Sequence, residues 1–251
     1  MNKGVVYTAT VDRRKQEGRE GNKEQVLTEL LRSYRLLKHF NPNLPVTLIA
    51  CPEVKENYKV RNIFGNEIKD ANNYWFNGFR GSKIQALQQS PYEKTLILDI
   101  DTLPISNIEK GFEFLDKYDI ALCLGSELDS EIEEKQITNF QNGVMFVHRN
   151  NRTIELFKEW SKLVESNGYR TATRYVLSEL LYRHNEINKY TLSKTWNYRI
   201  DTMQNLNNSY LSRFLPKVRI LHTHFLRDCA KETFNLHPRK EQICKIMEET
   251  L

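Results

Sequence analysis

Residues 95–105 read TLILDIDTLPI, and this stretch decides the fold: an apolar run ending at Leu98 meets two carboxylates, Asp99 and Asp101, as it closes. A short continuous apolar run bounded by turn-forming residues is the pattern of a strand buried on both faces, the type that fills parallel sheets. In open parallel sheets ligands bind beyond the carboxyl ends of the strands, which is where Asp99 and Asp101 fall. Carboxylates at i and i+2 share one face of an extended chain and can converge on one cation as the chain turns. Hard oxygen ligands suit Mg²⁺ or Mn²⁺, and such ions keep waters and bridge phosphates. The chemistry expected here is therefore on a phosphorylated substrate. A strand end exposed to solvent is the plainer reading, but a buried strand closing on two unpaired charges is costly.

Upstream, the chain opens with a strand at Val5 to Thr10, followed by a charged loop from Asp12 to Asn22. Val26, Leu27, Leu30, Leu31, Tyr34 and Leu37 recur at three- and four-residue steps, which predicts a helix from about Lys23 to Phe40. The Asn-Pro-Asn-Leu-Pro turn at 41–45 stops it, and PVTLIAC (45–51) is a second strand. Strand, crossover helix and strand make the βαβ unit of a parallel sheet. Ser82 is placed to cap a helix running to Gln89, just ahead of the decisive stretch.

Downstream, DIALCLG (119–125) and GVMFVHR (143–149) read as strands, separated by a polar stretch from Glu127 to Gln136. Helices are expected at about 151–166 and 173–184, VRILHTHF (218–225) as a last strand, and a polar helix at the C-terminus. No internal repeat or linker appears, so the reading is α/β and one domain over 1–251. Its nucleotide-binding part is expected at about 1–125 and its acceptor side at about 126–251.

The formal net charge is +5, with 37 Lys and Arg against 32 Asp and Glu. The densest basic stretch, Arg13, Arg14, Lys15 and Arg19, is broken by Glu17 and Glu20, whereas a nucleic-acid footprint clusters. No nucleic-acid partner is expected. Cys51, Cys123, Cys229 and Cys244 form no CxxC, and no stretch approaches the roughly 18 apolar residues of a membrane span. MNKGVVYTAT lacks the apolar core of a signal peptide, so a cytoplasmic protein is expected.

Two enzyme classes place DxD after an apolar strand. Haloacid-dehalogenase-type phosphatases use DxDxT or DxDGT, but here Thr102 follows the second Asp directly and Leu103 comes next. The chain also has no adjacent Asp-Asp pair, and nearly a hundred residues precede the motif. The other class fits from about residue 4 to 226. VVYTATVD, RGSKIQALQQSPYEKTLILDIDT, FQNGVMFV, SKTWNYR and ILHTHF occur in that order. Together they resemble the ordered motifs of a GT-A glycosyltransferase, especially the glycogenin-like and bacterial galactosyltransferase-like group.

That resemblance implies a GT-A-like domain with a central mixed, mainly parallel sheet flanked by helices. It implies transfer of a sugar from a nucleotide-diphosphate sugar, most commonly UDP-linked, to a glycan or other acceptor hydroxyl. Mn²⁺ or Mg²⁺ would be held by Asp99, Asp101 and His222, with His224 as second choice because the HTH spacing puts both rings on one strand face. Thr8, Thr10 and Asp12 would lie near base and ribose, and Arg80 and Lys83 near the diphosphate. Asn142 and Gly143 would face the donor sugar, although Asn-Gly is also a common tight-turn pair. The family's acidic DQD segment is replaced by RYVLSELLYRH, which leaves Glu179 nearest to the catalytic position alongside Asn142. The late GxxKPW segment is absent, with Arg227 or Lys231 as substitutes for its lysine. Trp75 to Gly78 form an aromatic cluster suited to stacking on a sugar or base. The loops at 12–22 and 127–136 flank the expected site as candidate lids. A related nucleotidyltransferase would need a Gly-rich N-terminal phosphate loop, which is missing. A catalytically silent sugar- or nucleotide-binding protein is the remaining alternative.

Overall fold

In the computed structural model, residues 2–11, 23–71, 82–125, 137–166, 173–199, 215–222 and 240–248 are described. The N-terminal βαβ unit forms as its pattern dictates: β1 (Lys3–Ala9), α1 (Lys23–Phe40) and β2 (Val46–Ala50), with every residue of β2 buried. Two short helices follow, α2 (Pro52–Lys55) and α3 (Tyr58–Phe64). Asn57 starts α3 by accepting from the backbone N–H groups of Lys59 and Val60. Then come β3 (Ile68–Asp70), α4 (Ser82–Gln89) and β4 (Lys94–Leu98), the strand that carries the decisive apolar run.

A turn leads into β5 (Thr102–Pro104), and a 3₁₀ segment covers Glu109–Asp116. The second half comprises β6 (Ile120–Leu124), β7 (Phe140–His148), α5 (Asn151–Ser166), α6 (Thr173–Arg183), β8 (Lys189–Leu192), β9 (Tyr198–Arg199), β10 (Ile220–His222) and α7 (Lys240–Glu248).

Seven strands form one sheet in the order β3-β2-β1-β4-β7-β6-β8. All pairings are parallel except those of β7, which runs antiparallel to both β4 and β6. The sheet is therefore mixed and mainly parallel. Its two faces bury separate apolar layers, as strand alternation requires. Val5, Tyr7, Leu48, Leu96 and Phe146 pack towards α1. Val6, Ile49, Ile97, Met145 and Val147 pack towards α4, α5 and α6, where Trp160 is fully buried. A second, three-stranded sheet runs β5-β10-β9, with β10 antiparallel to β5 and parallel to β9. Among the described residues no helix is long and apolar enough to cross a membrane.

One strand differs from the sequence reading. Asn142 and Gly143, expected just ahead of a strand beginning at 143, lie inside β7, which starts at Phe140. Pairing decides this: Leu98 lies opposite Val144, and the Asp99 N–H donates to the Gly143 carbonyl at 2.9 Å. The turn reading of Asn-Gly is excluded by that ladder. The last strand begins at Ile220, two residues later than expected, and the described residues follow it to His222.

Candidate metal and donor site

The main sheet and the small sheet meet at the carboxyl end of β4. After Leu98 the chain turns sharply: the Thr102 N–H donates to the Asp99 carbonyl at 3.2 Å, and the Thr102 hydroxyl donates to the same oxygen at 2.5 Å. This turn gathers Asp99 and Asp101 instead of letting them diverge along a strand. It also starts β5, whose Thr102 pairs with His222 in β10. One local turn thus fixes both carboxylates, and a non-local pairing brings the imidazole to them.

Asp99, Asp101 and His222 each offer one ligand atom, all within 4.8 Å of one another. His222 Nε2 lies 3.2 Å from Asp101 Oδ1 and 3.9 Å from Asp99 Oδ2. Ligand atoms bonded at about 2.1 Å around an octahedral ion stand roughly 3 Å apart when adjacent and about 4.2 Å when opposite. The two separations from His222 Nε2 fall within that range, and two carboxylates with one imidazole are a suitable donor set for Mg²⁺ or Mn²⁺. The residues fit a divalent ion.

The His222 ring is only 3% exposed. Burial alone would lower its pKa, but Asp101, through charge and hydrogen bond, and then Asp99 outweigh burial and hold it above the usual histidine value. Its Nδ1 is 2.9 Å from Asn197 Oδ1. The ring lies against Gly143: a Cβ there would stand 2.3 Å from His222 Cε1 and 3.1 Å from Asp99 Oδ2. Gly143 therefore makes room for the imidazole within the site, beyond the ligand approach expected of it.

Lys83, in the first turn of α4, straddles the Asp99 carboxylate at 2.5 and 2.7 Å and stands 3.4 Å from Asn142 Oδ1. Lys83, Asp99, Asn142 and Gly143 consequently share one locale with Asp101 and His222. Thr8 and Thr10 are buried at the carboxyl end of β1, in the strand next to β4. Glu179 is half-buried on α6 and does not join the three-residue group. Its neighbour Ser178 anchors the start of β7 by accepting from the Phe140 N–H at 2.9 Å. Asp12, Arg80, His224, Arg227, Lys231, the cluster at 75–78 and the loops at 12–22 and 127–136 lie outside the described residues.

Two residues near the site escaped the sequence reading. Asn197 sits inside the quoted SKTWNYR motif, and its residue type after a turn was the available signal. Glu29 is a carboxylate on α1, 8% exposed, where an apolar pattern would place a hydrophobe. Burial pushes its pKa up to about 7; the Gln25 amide, donating at 2.9 Å, opposes this and the charge of Asp101 adds to it. Helix α1 packs against β5, the strand that follows Asp101.

No protein-family profile and no curated protein sequence matches the chain. Solved structures do. The galactosyltransferase LgtC, solved with donor and acceptor sugar analogs, aligns with a TM-score of 0.60 at 13% identity, over 98% of this chain and 95% of its own. The glycosyltransferase GlyE of Streptococcus pneumoniae TIGR4 aligns with a TM-score of 0.63 at 15% identity, over 98% of this chain and 60% of its own. Mouse xyloside xylosyltransferase 1 aligns with a TM-score of 0.56 at 14% identity, over 89% of this chain and 98% of its own. At such identities the likeness is one of fold, and the topology around the Asp99–Asp101 turn agrees with it: the chain has the GT-A fold that these glycosyltransferases share.

Proposed function

We propose that the chain is a metal-dependent glycosyltransferase that moves a hexosyl or pentosyl group from a nucleotide-diphosphate sugar, UDP-linked by preference, to an acceptor hydroxyl. The observation that carries this reading is the Asp99, Asp101 and His222 group at the carboxyl end of a mainly parallel sheet. Solved neighbours of the same fold that act on sugars support it. The proposed arrangement is one domain, with the donor half at about 1–125 and the acceptor half at about 126–251. Cys51 and Cys123 are buried free thiols, which supports a reducing, cytoplasmic setting.

In this reading Asp99, Asp101 and His222 hold Mn²⁺ or Mg²⁺. When bound, that ion supplies positive charge against the diphosphate and so favours its departure as a leaving group. Lys83 adds a second cation on the far side of Asp99, exchanging part of its contact with that carboxylate for a phosphate oxygen. Its place in the first turn of α4 favours an anion there as well. Asn142, within reach of Lys83, offers an amide to a sugar hydroxyl, and Gly143 keeps the His222 ring in register. Thr8 and Thr10 face the base and ribose, with Asp12 and Arg80 completing the donor pocket. Glu179 is proposed as the carboxylate nearest the transfer step.

Titration calorimetry with UDP tests the proposal. Binding is expected to require Mn²⁺ or Mg²⁺ and to weaken at least tenfold in Asp101→Ala, since removing a charged ligand costs more than about 1.4 kcal/mol. Equal affinity in EDTA would sink the metal-bridged donor, and hydrolysis of a generic phosphomonoester would favour a phosphatase instead.

A further inference from the structure

Asn197 makes a contact that the proposed chemistry depends on but that ligand assignment alone passes over. It is 5% exposed and ends the 3₁₀ turn Lys194–Trp196, with its N–H donating to the Lys194 carbonyl at 3.3 Å. The turn is held from two sides. The Arg219 N–H donates to the Thr195 carbonyl at 2.7 Å, and the Arg219 guanidinium lies 4.8 Å over the Trp196 ring. Immediately afterwards β9 pairs with β10, Tyr198 beside Leu221 and Arg199 beside His222. Backbone pairing thus fixes Asn197 next to the imidazole before any side chain chooses a rotamer.

An amide oxygen can only accept, so Asn197 Oδ1 at 2.9 Å requires that His222 Nδ1 carry a proton. In the neutral ring the lone pair then belongs to Nε2, the nitrogen that faces Asp101 and Asp99. A competing arrangement is built into the same geometry. Asp101 Oδ1, 3.2 Å from Nε2, is itself an acceptor, and without a partner at Nδ1 the neutral ring would place its proton on Nε2 towards that carboxylate. That tautomer presents a proton where a cation must bind. Gly143 leaves the ring no other seat, because it packs directly against the imidazole.

We infer that Asn197 is a positioning residue that selects the Nδ1–H tautomer of His222, so that Nε2 is presented as a ligand to a divalent cation beside Asp99 and Asp101. The inference rests on the metal-dependent reading above. Residues that hold the second nitrogen of a ligating histidine change metal affinity by about 10- to 100-fold when removed. The Asn197 Nδ2 is buried and has no hydrogen-bond partner among the described residues, so the cost of burying this amide is borne for the sake of its oxygen.

Two measurements test the inference, neither needing turnover. Long-range ¹⁵N–¹H spectra of the wild-type protein at alkaline pH, without metal, should show His222 as the Nδ1–H tautomer; an Nε2–H ring would mean that the amide is turned the other way and would overturn the inference. Calorimetry with Mn²⁺ alone should show binding about 10- to 100-fold weaker in Asn197→Ala and recovered in Asn197→Asp, which restores an acceptor. Circular dichroism confirms that each variant is folded. Unchanged Mn²⁺ affinity in a folded Asn197→Ala overturns the inference as well. If wild-type protein binds no Mn²⁺ while the ring is Nδ1–H, the metal-dependent reading fails and the tautomer selection by Asn197 stands.

Discussion

Asp119 and Asp99 lie at opposite strand ends of one sheet, and the chain treats their charges in opposite ways. Asp119 precedes β6, 3% exposed, and accepts from the Asn188 N–H at 2.9 Å, the Asn150 amide at 2.6 Å and the Arg152 guanidinium at 2.8 Å. Burial alone would raise its pKa, yet these donors, led by the Asn188 N–H, outweigh burial and hold it below the usual carboxylate value. Asp99 follows β4 and faces a second carboxylate, Asp101, across a gap that an imidazole nitrogen also enters. Asp119 is saturated by donors from its own chain; Asp99, a fifth exposed, is held by Lys83 on one side and set against the like charge of Asp101 on the other. The first arrangement holds a fold together, while the second, with Lys83 against Asp99 alone, leaves a repulsion between Asp99 and Asp101 that a further cation would offset.

The sharpest way to break this contrast is to remove Asp119. Asp119→Ala leaves the Asn188 N–H and the Asn150 amide without their acceptor, so an unfolding free energy about 3 kcal/mol lower is expected from urea denaturation. The folded fraction should bind Mn²⁺ as before, since the residue sits at the opposite end of the strands from Asp99 and Asp101. A loss below about 1 kcal/mol would mean that saturation by donors does not mark a structural carboxylate here.

The contrast also shows what could be read in advance. The apolar runs of β1, β2, β4 and β6 and the three-to-four spacing of α1 are local signals, and the structure has those elements close to their expected bounds. Thr102–Pro104 and Tyr198–Arg199 carry no such signal, being two or three residues long and strands only because β10 lies between them. Asn142 and Gly143 read as the lead-in to a strand because the local preference of Asn-Gly is for a turn, and pairing with β4 overrides it. Asp99 and Asp101 were legible because a buried strand ends on them. The bond from His222 to Asn197 joins residues 25 positions apart through a sheet pairing, which no periodicity encodes.

Glu29 stands between the two extremes, with the Gln25 amide donating to it and a pKa pushed up by burial to about 7. Its folded-state value exceeds the ordinary glutamate value of 4.5 expected when unfolded, so the native state retains a proton that the unfolded chain gives up. The associated stability is complete below pH about 4.5 and is lost as pH rises through about 7. In EDTA, wild-type stability should therefore fall by about 2 kcal/mol over that window relative to Glu29→Gln, which cannot titrate. Parallel pH profiles for the two proteins would overturn the raised pKa, and a wild-type profile that instead rises with pH relative to Glu29→Gln would place Glu29 with Asp119 on the structural side of the comparison.

The smallest effect is the most discriminating. Asp101→Asn removes one of two facing carboxylates and also weakens the contact to His222 Nε2, so a repulsion and an attraction disappear together. The side chain is 19% exposed, and solvent screens both. Without metal the unfolding free energy should therefore stay within about 1 kcal/mol of wild type. With Mn²⁺ present the wild type should gain stability, because an ion that binds only the native state shifts the folding equilibrium, and Asp101→Asn should gain little. A drop near that of Asp119→Ala in EDTA would show that Asp99, Asp101 and His222 form a structural ion-pair network. The two ends of the strands would then be doing the same thing, and the fit of the three donors to a cation would be incidental to how the fold is held.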